Sequence, residues 1–255
     1  MPTKPILIFF PTYNEAEHIE LLYQQVTNSG ILAEILFLDD NSPDGTGEII
    51  DGLVAKDPRV HVIHRSGKLG IGSAHLDGIR WAYDHGFSTL ITMDCDLGHS
   101  PKYFQEFFKY TDNFDVVIGS RHKGTEGTRG WSWFRKILTK MGYLATTLLL
   151  NMPYDSTIAF RLYRLDHIPR GVFDLVRSKG YAFFFESLYI IKFNGHRIAE
   201  FPIYMPQRTY GKSKMTGKEI FNSFKQLFVI LLRTVFQKKT LICDKNDKPS
   251  WAMDH

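Results

Sequence analysis

The 255-residue chain sits at the upper end of what one hydrophobic core organises, so a single domain with a C-terminal appendage is expected rather than two domains. Its 44% apolar and 23% charged residues exclude a disordered chain, and a net charge of +4 is too mild to indicate a nucleic-acid partner while suiting an anionic membrane or anionic substrates. Two distant cysteines, Cys95 and Cys243, give neither a disulfide scaffold nor zinc-type spacing.

Met1 to Lys4 lead directly into the apolar run Ile6 to Phe10, which is too short for a secretory signal and is closed by Pro11. The expected location is therefore the cytoplasm or the cytoplasmic face of a membrane. Ile6 to Phe10 reads as a buried strand ending in the turn Pro11-Thr12-Tyr13-Asn14. A helix over 16–28 follows, with Ile19, Leu22, Tyr23 and Val26 at helical spacing. A second strand over 35–38 runs into the acidic turn Asp39 to Gly45. A helix over 46–56, a strand over 60–64, a helix over 72–85 and a strand over 89–93 continue the alternation. Such alternation predicts an α/β fold, a mainly parallel sheet with helices on both faces. These sheets place ligands at the carboxyl ends of their strands. Tyr13 and Glu15, Asp39 to Asp44, and Asp94-Cys95-Asp96 all fall at such ends.

After a strand at Val116 to Gly119, residues 121–135 read as a loop and 136–151 as a strongly apolar helix. Residues 217–236 mix Phe221, Phe224, Phe228 and Leu232 with Lys218, Lys225 and Arg233, too interrupted by charge for a transmembrane span. That stretch reads either as an amphipathic helix on a membrane surface or as a helix packed on the core. The tail over 238–255 reads as flexible.

Asp94-x-Asp96 offers two hard oxygen ligands suited to Mg²⁺ or Mn²⁺ beside a substrate diphosphate, although the same pair also occurs in plain solvated turns. In the turn after strand two, Asp40 is the carboxylate favoured to receive hydrogen bonds from a ribose or base. Arg65 to Gly72 is a basic, glycine-rich loop without the spacing of a Walker P-loop; it fits a diphosphate neighbour and a surface loop equally. Arg121, Arg135, Arg208, Lys212 and Lys214 are candidate anion contacts, with a solvated basic face as the alternative.

Pro11-Thr12-Tyr13-Asn14-Glu15, Asp39 to Thr46, Gly67 to Gly72, Asp94-Cys95-Asp96-Leu97, Gly119-Ser120-Arg121 and Arg208-x-x-Gly211-x-Ser213-Lys214 together resemble the dolichyl- or polyprenyl-phosphate mannose synthases, over about residues 5–235 and in order. The resemblance implies an inverting glycosyltransferase of GT-A fold, Rossmann-like, with C-terminal amphipathic interfacial helices. Its catalytic domain would cover 1–215, with an interfacial apolar helix near 136–151. A membrane-associated helix over 216–237 and the tail would follow. It implies nucleotide and donor contacts at Pro11, Tyr13, Glu15, Asp40 and Lys68, and metal and diphosphate contacts at Asp94 and Asp96. Phosphate contacts are implied at Arg121, Arg135, Arg208 and Lys214. A nucleotide-sugar donor, a lipid-phosphate acceptor, a membrane surface and a possible membrane-anchor subunit are the implied partners.

Two positions depart from the family pattern: Gly98 stands where a glutamine usually follows the Asp-x-Asp-Leu, and Ile158-Ala159-Phe160-Arg161 replaces Ser-Gly-Phe-Arg. Transfer from a UDP-sugar, or to a hydroxyl of a cell-wall or capsule polymer, is the rival. A hydroxyl acceptor needs a general base, for which Asp155, Asp174 and Glu186 are the candidates. A non-catalytic nucleotide-sugar-binding subunit is the reading from another class. A dinucleotide oxidoreductase is excluded by the missing glycine fingerprint after strand one.

Overall fold

The computed structural model describes residues 5–124, 127–206 and 217–243. Strands β1 (Ile6–Thr12), β2 (Glu34–Asp39), β3 (Val60–His64), β4 (Thr89–Thr92), β5 (Val116–Ser120), β6 (Arg161–Arg164) and β7 (Ile198–Pro202) form one sheet in the order β3-β2-β1-β4-β6-β5-β7. Only β6 runs against the others, pairing antiparallel with β4 and β5. Leu7 to Phe10 and Leu36 to Leu38 are fully buried, because helices cover both faces of a parallel sheet and continuous apolar runs then become the stable pattern.

The helices are α1 (Ala16–Thr27), α2 (Thr46–Val54), α3 (Ile71–Asp84), α4 (Phe104–Phe108), α5 (Trp133–Leu150), α6 (Arg170–Asp174), α7 (Phe183–Phe193) and α8 (Gly217–Phe236). The first four strands and their helices fall within a residue or two of the sequence expectation. β6, β7, α4, α6 and α7 were not anticipated. The expected loop over 121–135 is shorter than read: Ser132 caps α5 by accepting a hydrogen bond from the Arg135 amide, so the helix starts at Trp133.

β1 leads to β2 on one side, while β4 pairs on its other side, with Phe9 opposite Thr92 and Thr12 opposite Asp39. The chain order therefore reverses at β1, which opens a crevice beyond the carboxyl ends of β1 and β4.

α8 is held to the body through Leu227, Ile230 and Arg233, which recur on one helical face and are buried. Arg233 Nη1 lies 2.9 Å from Glu186 Oε1 on α7, and its Nη2 donates to the Thr240 carbonyl at 3.0 Å. Glu186 Oε2 accepts from the Ser178 amide at 2.8 Å. Lys238–Leu241 forms a 3₁₀ turn with Leu241 fully buried, so the expected flexible tail does not begin at Lys238. Residues 244–255 lie outside the described residues.

His75 on α3 is 1% exposed, boxed by Phe9, Phe183 and Phe184 with ring centroids 5.5, 5.2 and 5.0 Å away. Burial, with the nearby Arg161 charge, pulls its pKa down to about 3. The folded protein thus binds this proton far less readily than the unfolded chain. Stability is predicted to fall as pH drops below about 6.5, by up to ~1.4 kcal/mol per pH unit for this one proton. The loss should saturate near pH 3. Denaturant midpoints of wild type and His75→Phe across this range test it: the acid slope of the variant should be shallower by about one proton.

Candidate active site

The turns after β1 and β2 are stitched together by side chains of the second. Asn14 N donates to Ser42 Oγ at 3.0 Å, and Ser42 Oγ donates to Asp39 Oδ1 at 2.5 Å. Glu15 N donates to Thr46 Oγ1 at 3.0 Å, and Ala16 N to Asp44 Oδ2 at 3.2 Å. Thr46 Oγ1 in turn donates to Asp44 Oδ1 at 2.6 Å. Asn14 and Asn41 take left-handed backbone conformations, which asparagine tolerates best among residues with a side chain. Asp39, Ser42, Asp44 and Thr46 are thereby committed to shaping the turns.

Tyr13, Glu15 and Asp40 stand around this stitched pair of turns. Glu15 Oε2 is 2.9 Å from His18 Nδ1. Lys68, from the glycine-rich loop, lies 4.5 Å from the centre of the Tyr13 ring, so the loop reaches the β1 turn. Asp40 is 6% exposed and receives Arg65 Nε at 2.5 Å, while Arg65 Nη1 also donates to Ser73 Oγ and Asp77 Oδ2. Burial pushes the Asp40 carboxyl up, and Arg65 offsets this only in part, leaving it above the usual range. Arg65 was read only as part of a loop; its contact with Asp40 spans 25 residues and has no local sequence signal.

The glycine-rich loop rests on segment 178–180. Ser73 N donates to the Lys179 carbonyl at 3.1 Å. A Cβ on Gly70 would lie 2.5 Å from that oxygen, and one on Gly72 would lie 2.7 Å from the Gly180 oxygen. Glycine is therefore required at both positions by close backbone approach.

Beyond β4, Cys95 Sγ lies 3.7 Å from the Pro11 carbonyl, which sets the Asp94–Asp96 turn beside the end of β1. Asp94 N donates to His99 Nδ1 at 3.2 Å, and the His99 ring stacks on Phe160 at 5.0 Å. Gly98 N donates to Asp96 Oδ1 at 3.0 Å. A Cβ on Gly98 would lie 2.9 Å from that same oxygen and 3.0 Å from Met205 Cε. A side chain at position 98 would therefore have to displace the ends of the Asp96 and Met205 side chains.

Arg121, just after β5, is clamped by Asp155. Its Nε and Nη2 donate to the two carboxylate oxygens at 2.8 and 2.6 Å, its amide donates at 2.9 Å, and Nη2 also reaches Thr157 Oγ1 at 2.8 Å. Burial pushes Asp155 up, but the Arg121 charge and hydrogen bonds more than offset it, leaving the carboxyl below its usual range. Burial likewise lowers Arg121, and Asp155 first, then Asp94, raise it above the usual value. Arg121 and Asp94 therefore feel each other electrostatically. Glu200 on β7 accepts the Asp155 amide at 2.5 Å, and burial raises its own carboxyl.

Trp131 joins the second arginine to this group. Arg135 lies 3.5 Å and Arg121 5.8 Å from its ring centre, and its Nε1 donates to the Met205 carbonyl at 3.1 Å. The sequence reading named both arginines but missed Trp131, Thr157 and Glu200. Arg208, Lys212 and Lys214 lie outside the described residues.

The three carboxylates weighed as general bases all have cationic partners. Asp155 holds Arg121, Glu186 holds Arg233, and Asp174 Oδ1 receives Arg80 Nη2 at 3.2 Å.

Residues 7–182 match the family description "Glycosyl transferase family 2". The chain belongs to that family. It is 37% identical over 222 residues to a polyprenol monophosphomannose synthase of Mycolicibacterium smegmatis, covering 86% of this chain and 84% of that protein. An undecaprenyl-phosphate mannosyltransferase of Micrococcus luteus is 36% identical over 213 residues, covering 83% and 88%. Among solved structures, glucosyl-3-phosphoglycerate synthase from Mycobacterium tuberculosis in complex with Mn²⁺, UDP and phosphoglyceric acid superposes with a TM-score of 0.63 at 16% identity, covering 95% of this chain and 80% of that one. That likeness establishes the GT-A fold. The protein is therefore a glycosyltransferase, and the non-catalytic reading falls away.

Asp155→Asn removes the charge that neutralises buried Arg121, and breaking such a pair costs about 3–5 kcal/mol. A lowered melting temperature with at least a tenfold loss of transfer is expected. Unchanged stability would show that Asp155 does not carry the clamp.

Proposed function

We propose that this transferase moves mannose from GDP-mannose to the phosphate of a polyprenyl lipid, inverting the anomeric carbon, at the cytoplasmic face of a membrane. The observation that carries this reading is the pairing of Asp155, Asp174 and Glu186 with arginines, while Arg121 and Arg135 gather on Trp131 and Arg121 feels the charge of Asp94. A phosphate acceptor needs no base: its second ionisation lies near pH 6, so it arrives already anionic. A hydroxyl acceptor would need a base that these three residues do not supply. The names of the two mannosyltransferase relatives support the same acceptor and sugar.

In this reading Arg135, with Arg121 braced by Asp155, holds the incoming phosphate in line with the donor. An oxygen of the lipid phosphate forms the new bond to the anomeric carbon as the bond to the nucleoside diphosphate breaks. The leaving diphosphate takes the electron pair, and no proton has to move. Tyr13, Glu15, Asp40 and the carbonyl edge at Pro11 bind the nucleoside, with Lys68 near the diphosphate. The assignment of Arg208 and Lys214 to anion contacts stays with the family resemblance.

Asp94 and Asp96 would hold Mg²⁺ or Mn²⁺. No group of three or more His, Cys, Asp or Glu suited to a metal occurs among the described residues. Two hard carboxylates nevertheless suffice for a cation whose other positions go to phosphate oxygens and water. Gly98 adds no ligand. When bound, the cation supplies neutralisation of the charge that grows on the leaving diphosphate.

The membrane side of the proposal rests on α5 and α8. Trp133, Phe134 and Leu148 on α5 are 73%, 63% and 79% exposed, and Phe221, Phe228 and Phe236 on α8 are 71%, 59% and 77% exposed. Exposed apolar surface of this extent marks a contact surface, and flanking lysines suit anionic lipid. No described helix is long and apolar enough to cross a membrane. Both helices would lie in the interface, alone or beside an anchoring subunit, with 1–215 as the catalytic part and 216–237 as the membrane-associated helix.

Label from GDP-mannose should enter the lipid phase when a short polyprenyl phosphate and Mn²⁺ are supplied, and EDTA should abolish it. UDP-glucose and UDP-N-acetylglucosamine should give little transfer. Asp96→Asn is expected to lower turnover by more than about 100-fold. Transfer that survives both EDTA and this substitution would contradict the metal assignment.

A further inference from the structure

Between the first turns of α8 and segment 178–182 lies a cavity of about 330 Å³. Ser178, Lys179, Asn222, Ser223 and Lys225 line it, and the proposed transfer uses none of their side chains. Ser178 is 3% exposed and its Oγ is closed off from the cavity, so its side chain is part of the wall rather than a ligand contact. Lys179 and Lys225 outnumber the single acid of the lining, Glu219, and the exposed Arg177 and Lys218 flank them in sequence. The chemistry favours an anion with several acceptor oxygens.

The position on α8 narrows the source. Lys225 lies four residues after Phe221 and three before Phe228, so the three share one side of the helix. The two phenylalanines are 71% and 59% exposed. A phosphate held at Lys225 would therefore sit where the polar rim of α8 meets its apolar face, the level of head groups when such a helix lies in a bilayer surface.

We propose that this cavity binds the phosphodiester head group of an anionic bilayer phospholipid. Lys179 and Lys225 supply the charge and the Asn222 amide supplies a hydrogen bond, the Ser223 hydroxyl being taken by the Glu219 carbonyl at 2.8 Å. The site is separate from the acceptor phosphate site at Arg121 and Arg135. It rests on the membrane-surface reading of α8, though not on the identity of the sugar.

The test is sedimentation of the full chain with phosphatidylcholine vesicles, with and without phosphatidylglycerol. Polyprenyl phosphate in phosphatidylcholine serves as one further arm and soluble glycerol phosphate as a competitor. Phosphatidylglycerol should strengthen binding by about tenfold or more, given roughly 1 kcal/mol per lysine near an anionic surface. Ser223→Trp, which fills the cavity without changing charge, and the doubly substituted Lys179→Ala/Lys225→Ala should each remove most of that gain. Both should leave phosphatidylcholine binding unchanged.

Retention of the full gain by Ser223→Trp would overturn the proposal in favour of diffuse attraction. An equal, Ser223→Trp-sensitive gain from polyprenyl phosphate would reassign the cavity to the acceptor lipid, and competition by glycerol phosphate at the same concentration as vesicle lipid would reassign it to free phosphate. Absence of binding to any vesicle would overturn the membrane reading itself.

Discussion

A buried carboxylate is tolerable only if a cation neutralises it, and Asp155 meets that constraint by taking both forks of Arg121. The rest of the site follows from this pairing. The Asp155 amide is fixed by Glu200, so β7 is tied to the loop before β6. The clamp fixes the guanidinium of Arg121 within the field of Asp94, and Trp131 draws Arg135 to the same place. The paired arginines thus form a cationic corner, one member of which, Arg121, feels the charge of Asp94. Two arginines and two carboxylates so arranged suit the transfer of a group between two phosphates.

The glycine-rich loop depends on a different device, close backbone approach. Gly70 and Gly72 let the glycine-rich loop rest on the carbonyls of 178–180, which are themselves held through Glu186 by Arg233 of α8. The loop that carries Lys68 to Tyr13 and the helix that presents Phe221 and Phe228 to solvent therefore share one support. The buried Glu186–Arg233 pair fixes the apolar face of α8 outward, because its other face is occupied by Leu227, Ile230 and Arg233.

The first half of the fold was legible because its signals are local: apolar runs of four to seven residues closed by Pro, Asp, Asn and Gly, and helices with regular apolar spacing. α8 was legible for the same reason, its described residues Gly217–Phe236 falling in the stretch read as an amphipathic helix. β6 and β7 were not, because Arg161 and Glu200 interrupt their apolar pattern and both strands depend on partners more than 30 residues away. Polar Lys238 and Lys239 hid the turn that anchors Leu241 under Arg233. At the site, the turn composition pointed to Asp40, and the structure shows its neighbours Asp39 and Asp44 spent on the turns. The Arg121–Asp155 clamp was invisible because its members stand 34 residues apart, and Asp155 was read as a candidate base for that reason.

In the proposed reaction the acceptor supplies its own anion and the enzyme supplies no base. The pH dependence of transfer to two acceptors of the same chain length, a polyprenyl phosphate and a polyprenyl phosphonate of higher second pKa, tests this. The expected acid limb begins near pH 6 for the phosphate and moves upward with the phosphonate, followed by a plateau. A limb that stays at one pH for both acceptors would belong to a group on the protein and contradict a base-free transfer.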